Sequence, residues 1–154
     1  MERTTASLAR ASKSQCVAAD DPRLRPLGPV ALLAVIPFSP GHRIYVQAWI
    51  NGSTPARLQL DTGTDRTMIA PRVLRAAALV PHGAGTISGV TGRATADVYQ
   101  IASLEVDGAK GSRLTVFGYD IGEAGSDGLL GRDFLDQFTV TIDNAVGRVT
   151  LSPK

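Results

Sequence analysis

Hydrophobic and polar residues alternate between residue 43 and residue 61 of the chain. In RIYVQAWI (43–50) every second residue is apolar, which is the period of a β-strand with one buried face. The segment NGSTPA (51–56) supplies turn residues, and RLQLD (57–61) then resumes the alternation. The pattern predicts a β-hairpin whose second strand ends at Asp61.

Further patterns lie C-terminal to this hairpin. In APRVLRAAALV (70–80), Pro71 stands where the first turn of a helix accepts proline, so we expect a short helix there. Two β-like runs flank the glycine-rich centre GVTG (89–92), which predicts a long hairpin with a mobile tip. The remaining predicted elements are a strand in SRLTVFGYD (112–120), a strand and a short helix in DGLLGRDFLDQF (127–138), and a hairpin in TVTIDNAVGRVTLSP (139–153).

These elements predict a mostly β fold with one or two short helices and no βαβ alternation. The chain has 154 residues, of which 44% are hydrophobic, and this suits one domain with a buried core. Residues 1–29 are rich in Ala, Ser, Arg and Pro without sustained periodicity, so we expect a disordered or extended leader. The predicted domain covers residues 30–154.

The positive charge is concentrated near the N-terminus. The formal net charge is +2, but residues 1–43 hold six Lys or Arg against three acids, whereas residues 44–154 hold ten against eleven. No basic stripe interleaved with aromatic residues runs through the predicted domain, which argues against nucleic-acid binding. The single cysteine, Cys16, excludes an internal disulfide framework and a cysteine-based zinc site.

The apolar run LGPVALLAVIPF (27–38) is too short to span a membrane and contains two prolines. No small-residue cleavage site follows it cleanly, so a signal peptide is not indicated. We favour a strand or an extended arm here and expect no membrane segment. The cytoplasm is slightly favoured over the periplasm, but the sequence does not settle the compartment.

Asp61 ends an apolar run and is followed at once by Thr62 and Gly63. A carboxylate at the end of a buried strand is costly to desolvate unless it has partners or a task, although the tripeptide alone is also typical of a turn. Further along, LLGRD (129–133) is an apolar pair that runs into glycine before a predicted short helix. The glycine-rich hairpin lies between the two motifs.

Two segments that follow one another along the chain resemble two motifs of the retropepsin-like aspartic proteases. They are LQLDTGTDRTMI (58–69) and GLLGRDFLDQFTVTID (128–143). The first is similar to the catalytic strand and loop, and the second to the closing strand and helix. The clan includes retroviral proteases and single-lobe bacterial relatives. The resemblance spans residues 43–151 and implies a closed or partly open β-barrel lobe with a flap hairpin and aspartic endopeptidase activity.

A pepsin-type reaction needs two carboxylates that share one proton, and the chain holds one DTG tripeptide. The resemblance therefore implies a homodimer that brings two copies of Asp61 together across a twofold axis. One carboxylate would take a proton from a water molecule that attacks the scissile carbonyl, while the other polarises that carbonyl. The expected substrate is an extended, apolar polypeptide segment, cut at acidic to weakly acidic pH. No metal or organic cofactor is required.

The resemblance also implies roles for individual residues. Thr62 would brace the paired loops across the dimer, and Gly63 would let the substrate backbone approach closely. Arg132 would form an ion pair with Asp65 and brace the active-site loop. The hairpin tip would close over the substrate as a flap. The candidate substrate-binding residues are Met68, Ile87, Ser88, Gly89, Val90, Gly92, Ile121 and Leu129.

Several expectations retain an alternative. Terminal strands often join the dimers of the family, and AVIPF (34–38) and VTLSP (149–153) could together form such a sheet. The apolar candidates for substrate binding could equally be ordinary core residues. The whole domain could be a catalytically silent module that binds peptides or dimerises. A phosphoryl-transfer role for DTGTD (61–65) fails, because the second position lacks lysine and the chain lacks an α/β pattern for a magnesium site.

Overall fold

The computed structural model describes residues 32–89 and 92–154. The predicted leader, residues 1–29, lies outside the described residues, and so does Val90. Within the described residues the fold is mostly β with two short helices, as predicted. The strands are β1 (Ala34–Pro37), β2 (Tyr45–Ile50), β3 (Thr54–Leu60), β4 (Met68–Ile69), β5 (Gly83–Gly89), β6 (Gly92–Val106), β7 (Ala109–Gly118), β8 (Gly128–Leu130), β9 (Phe138–Asp143) and β10 (Arg148–Pro153). The helices are α1 (Pro71–Ala76) and α2 (Arg132–Leu135).

Six strands form a closed barrel in the order β2-β3-β8-β4-β7-β6, because β2 also pairs with β6. The alternation predicted from the sequence is present, and β2 buries Val46, Ala48 and Ile50 while Gln47 and Trp49 remain exposed. Leu58, Leu104 and Phe134 are fully buried in the same core. The predicted fold class, a mostly β barrel with short helices, is therefore confirmed.

The β5–β6 hairpin extends from the barrel, since β5 pairs with β6 alone among the described strands. Its register runs from Gly83 opposite Val98 to Gly89 opposite Gly92. β6 is 15 residues long, so its second half belongs to the barrel while its first half belongs to the hairpin. The sequence correctly indicated one long run here, although the alternation of buried residues changes phase within it, between Ala96 and Tyr99 and again between Ile101 and Leu104.

A second sheet of three antiparallel strands has the order β1-β10-β9. β1 pairs with β10 of the same chain, with Ala34 opposite Leu151 and Pro37 opposite Arg148. The two segments proposed for a terminal sheet thus do pair, and they do so within one chain. β10 is the central strand and has no free edge for an interleaved partner strand.

Two local features differ from the sequence interpretation. The predicted turn at 51–56 is shorter, because Thr54, Pro55 and Ala56 already pair with β2. The two-residue strand β4 was not predicted, since a pair of residues carries no periodicity. It pairs in parallel with β7 and antiparallel with β8, and this double pairing holds the chain after the DTG loop against the barrel.

Candidate active site

Asp61 follows β3 directly, and Leu129-Leu130-Gly131 ends β8. The two strands pair in parallel, with Leu60 opposite Leu130, so their carboxyl ends lie at the same edge of the barrel. The Asp61 amide continues this pairing by donating to the Leu130 carbonyl oxygen at 3.0 Å. The two motifs of the sequence analysis are therefore adjacent in space.

The Asp61 carboxylate is oriented by its own loop. The Gly63 amide donates to Asp61 Oδ1 at 2.9 Å. Asp61 is half-buried, whereas Thr62 and Gly63 are exposed. A Cβ atom at position 63 would lie 3.3 Å from the same Oδ1. Glycine at this position thus leaves room for the carboxylate beside an exposed backbone.

Backbone hydrogen bonds join the Asp61 loop, defined as residues 61–67, to the start of α2. The amides of Arg132 and Asp133 donate to the carbonyl oxygens of Thr64 and Asp65, at 2.8 and 3.0 Å respectively. These bonds are independent of side-chain identity and fix the loop at two successive residues. They hold the first two residues of α2, which follow the apolar-Gly motif directly, against the Asp61 loop.

A buried polar network reinforces this junction and was missed by the sequence analysis. The fully buried Thr67 donates its hydroxyl to Asp133 Oδ1 at 2.7 Å and accepts the Gly131 amide at 3.1 Å. The Thr67 amide donates to Asp133 Oδ2 at 3.0 Å, and the Phe134 amide donates to Oδ1 at 2.9 Å. Thr67 carried no sequence signal, because its neighbours Arg66 and Met68 fit no clear alternation.

We expect Thr67→Val to lower the free energy of unfolding by about 2 kcal/mol, because the Gly131 amide and one Asp133 oxygen lose their buried partner. Thr67→Ser is the matched control; it keeps the hydroxyl and should cost about 1 kcal/mol or less. Urea unfolding of both variants measures the difference. A Thr67→Val variant as stable as the unmodified protein would show that the hydroxyl contributes nothing.

The Asp65–Arg132 ion pair expected from the sequence is present. Its side chains are 77% and 50% exposed for Asp65 and Arg132 respectively, and exposed pairs contribute at most about 1 kcal/mol. In the single chain the loop is therefore held mainly by the backbone bonds and by the Thr67–Asp133 contacts. The bracing role of the ion pair stays a prediction.

A cavity of about 330 Å³ lies between the Asp61 loop and the β5–β6 hairpin. Seven of the eight predicted substrate-binding residues line it, namely Met68, Ile87, Ser88, Gly89, Gly92, Ile121 and Leu129. Thr64 is the residue of the Asp61 loop that lines the cavity, whereas Asp61 itself does not line it. Substrate contact by these residues stays a prediction, but the structure brings them to one place.

Three further residues line the cavity without having been predicted: Arg93, Ala94 and Tyr119. Ala94 lies opposite Ile87 across the β5–β6 hairpin, so the hairpin register could have identified it. Tyr119 lies just after β7, and its amide donates to the Ile69 carbonyl oxygen at 3.0 Å. Its position depends on the tertiary pairing of β4 and β7, which the sequence pattern did not indicate.

Within residues 32–89 and 92–154, no group of three or more His, Cys, Asp or Glu side chains converges as a metal site would require. In the same residues, no helix has the length and hydrophobicity needed to cross a membrane. At the start of the Asp61 loop, the half-buried Asp61 carboxylate lies beside the exposed residues Thr62 and Gly63.

Comparison with known proteins points to one family. The sequence profile of the family described as Aspartyl protease matches residues 46–134, more than half of the chain. No curated protein matches the chain. A solved structure, that of a retropepsin-like aspartic protease from Rickettsia conorii, is similar with a TM-score of 0.62 and 18% identity. The alignment covers 81% of this chain and 92% of that chain, and at this identity the likeness concerns the fold.

Proposed function

Because the chain belongs to the aspartyl protease family and has a retropepsin-like fold, we propose that it is an endopeptidase. It would cut extended, apolar polypeptide segments with one catalytic Asp61 per subunit. The observation that carries the proposal is the position of Asp61 at the end of β3, oriented by Gly63 and fixed against β8, in the same loop as Thr64 of the cavity wall.

The reaction follows from two paired carboxylates. Two close carboxylates hold one proton between them, because both cannot ionise at short distance. The ionised Asp61 takes a proton from a water molecule as that water attacks the scissile carbonyl carbon. The protonated Asp61 donates to the carbonyl oxygen, which becomes the hydroxyl of the tetrahedral intermediate. Return of a proton to the leaving nitrogen breaks the peptide bond.

The proposal requires a second copy of the chain, and the edge of β9 that pairs with no other described strand is a suitable place for it. The Phe38 amide donates to the Gly147 carbonyl oxygen, so Val149 and Leu151 of β10 direct their backbone bonds toward β1. The intervening residues of β10 then bond to β9, at positions 139, 141 and 143 by the observed register. The backbone N–H and C=O groups of Phe138, Val140 and Ile142 consequently point away from β10, along the outer edge of β9.

Antiparallel pairing of two β9 edges has twofold symmetry, which is the symmetry that two Asp61 side chains need to meet. Only α2 lies between β8, whose end adjoins Asp61, and β9. A dimer built in this way would carry six strands in one sheet and would leave each three-stranded sheet intact on dissociation. The outward backbone groups of β9, which pair with none of the described strands, would gain partners in the dimer.

We expect cleavage of an apolar octapeptide to rise faster than linearly with protein concentration, and Val140→Pro to abolish both dimer and cleavage. Proline removes the outward N–H but is tolerated where a strand edge faces solvent. Val140→Ala is the matched control, because it shortens the same side chain and keeps the N–H. Sedimentation velocity and peptide cleavage over a range of protein concentrations measure both properties.

The two parts of the proposal fail in different ways. A folded Val140→Pro variant that still dimerises and cleaves would exclude the β9 edge as the dimer contact. Cleavage strictly proportional to concentration, from a protein that sediments as a monomer, would exclude the shared active site. A dimer that binds the peptide without cutting it would favour the silent peptide-binding module.

A further inference from the structure

The loop between β7 and β8, residues 119–127, supplies Tyr119 and Ile121 to the cavity wall. No strand pairing involves residues 119–127, because β7 ends at Gly118 and β8 begins at Gly128. The position of this wall therefore depends on individual contacts. Those contacts are distributed unevenly along the loop.

The two ends of the loop are held by the barrel. At the start, the Tyr119 amide bonds to Ile69. At the end, Asp127 exchanges backbone and side-chain bonds with Arg57, at 2.7 and 2.8 Å, and its Oδ1 accepts from Arg72 Nη2 at 2.7 Å. These bonds fix the loop where it enters and leaves the barrel.

The middle of the loop, residues 120–124, has one polar anchor within the described parts of the chain, and that anchor is Glu123. The Tyr45 hydroxyl donates to Glu123 Oε2 at 2.6 Å, and the Arg43 guanidinium forms an ion pair with the same oxygen. The other hydrogen bond of this segment that involves a side chain is internal, from the Gly122 amide to Asp120. Ile121 lies two residues from the anchor.

The anchor is itself supported on its far side. The Arg57 guanidinium stacks over the Tyr45 ring at 4.0 Å from its centroid and donates to the Gly125 carbonyl oxygen at 2.6 Å. Tyr45 therefore has an orientation fixed by β3, and its hydroxyl is directed at the loop. The contact joins the cavity wall to β2, which contributes no residue to the cavity.

We infer that Glu123 is a positioning residue: by holding residues 120–124 to Tyr45 and Arg43, it keeps Ile121 in the wall of the substrate cavity. The inference rests on the proposed function, since it takes the cavity to be the substrate site. Loss of the contact leaves Asp61 and its loop unchanged. It therefore weakens peptide binding and leaves the chemical step intact.

The contact is suited to acidic solution. The hydrogen bond from Tyr45 and the one from Arg43 hold the pKa of Glu123 below its ordinary value of 4.5. A carboxylate with a lowered pKa keeps its contact above its ordinary pKa and loses it only as the pH falls through the lowered value. The groups around it are Arg43 and Tyr45, with Arg57 stacked on Tyr45 and His42 lining the same cleft as Arg43.

The test separates binding from cleavage. In the Asp61→Asn background, which is designed to bind without turnover, the Kd of a fluorescein-labelled apolar octapeptide is measured by anisotropy. We expect Glu123→Ala to raise this Kd about tenfold, and Tyr45→Phe to raise it without adding to Glu123→Ala in the double variant. Glu105→Ala, the same substitution on β6 away from the cavity, is the matched control and should leave Kd unchanged.

In the otherwise unmodified protein, Glu123→Ala should raise KM by a similar factor and leave kcat within about twofold. Amide hydrogen exchange should accelerate at residues 120–124. A fall in kcat at constant KM, an unchanged Kd, or additive effects of Glu123→Ala and Tyr45→Phe would each overturn the inference. Failure of the unmodified protein to cleave would count against the proposed function alone, because the Kd comparison does not depend on turnover.

Discussion

Asp61→Asn should slow peptide cleavage by about 10³-fold or more while the fold is retained, because asparagine cannot accept a proton from the attacking water. Asparagine has the same side-chain shape as aspartate. Its side-chain oxygen can still accept the hydrogen bond that the Gly63 backbone amide donates to Asp61 Oδ1 at 2.9 Å. Asp61 is half-buried and takes no part in the Thr67–Asp133 network, so stability should change little.

Cleavage of a denatured protein mixture, followed from about pH 3 to pH 7 where a shared proton can persist, measures the effect. Asp97→Asn is the matched control, since it removes the same charge from an exposed position on β6 and should leave cleavage unchanged. Urea unfolding of both variants checks the fold. A folded Asp61→Asn protein that still cuts would exclude Asp61 as the catalytic carboxylate.

Gly131→Ala should lower the free energy of unfolding by about 3 kcal/mol. A Cβ atom at this position would lie 2.7 Å from the Arg66 carbonyl carbon and 2.9 Å from Thr64 Cγ2. The first of these neighbours is backbone, which cannot rotate away. The Asp61 loop must therefore move, and its displacement should reduce cleavage per folded molecule by about 10- to 100-fold.

Gly83→Ala is the matched control, because a Cβ atom at position 83 would meet nothing within 4 Å. We expect it to change stability by about 0.5 kcal/mol or less and to leave cleavage intact. Urea unfolding gives the stability of both variants, and initial rates are compared at equal concentrations of folded protein. A Gly131→Ala variant with unchanged stability would mean that the loop accommodates a methyl group without displacement.

Most of the strands could be predicted because one face of each is buried. The alternation of Ile44, Val46, Ala48 and Ile50 is enough to place β2, and the long run before Val106 is enough to place β6. The DTG and apolar-Gly motifs likewise pointed to one site, because their order along the chain, with a glycine-rich hairpin between them, resembles that of the retropepsin-like aspartic proteases. The Asp65–Arg132 ion pair followed from the family resemblance.

The tertiary structure decided what depends on contacts between distant segments. β4 exists because two other strands pair with its two residues, and Thr67 matters because folding buries it against Asp133. The hydrogen bond between Tyr45 and Glu123 joins two residues that are 78 positions apart in the sequence, and no local pattern encodes such a pair. By itself the sequence determined most of the strands, since burial and turn chemistry act locally along each strand, and its resemblance to the retropepsin-like aspartic proteases implied the barrel and the candidate catalytic residue. The junction that holds Asp61 and the anchor of the cavity wall required the fold, because their hydrogen bonds form only once the strands have been brought together.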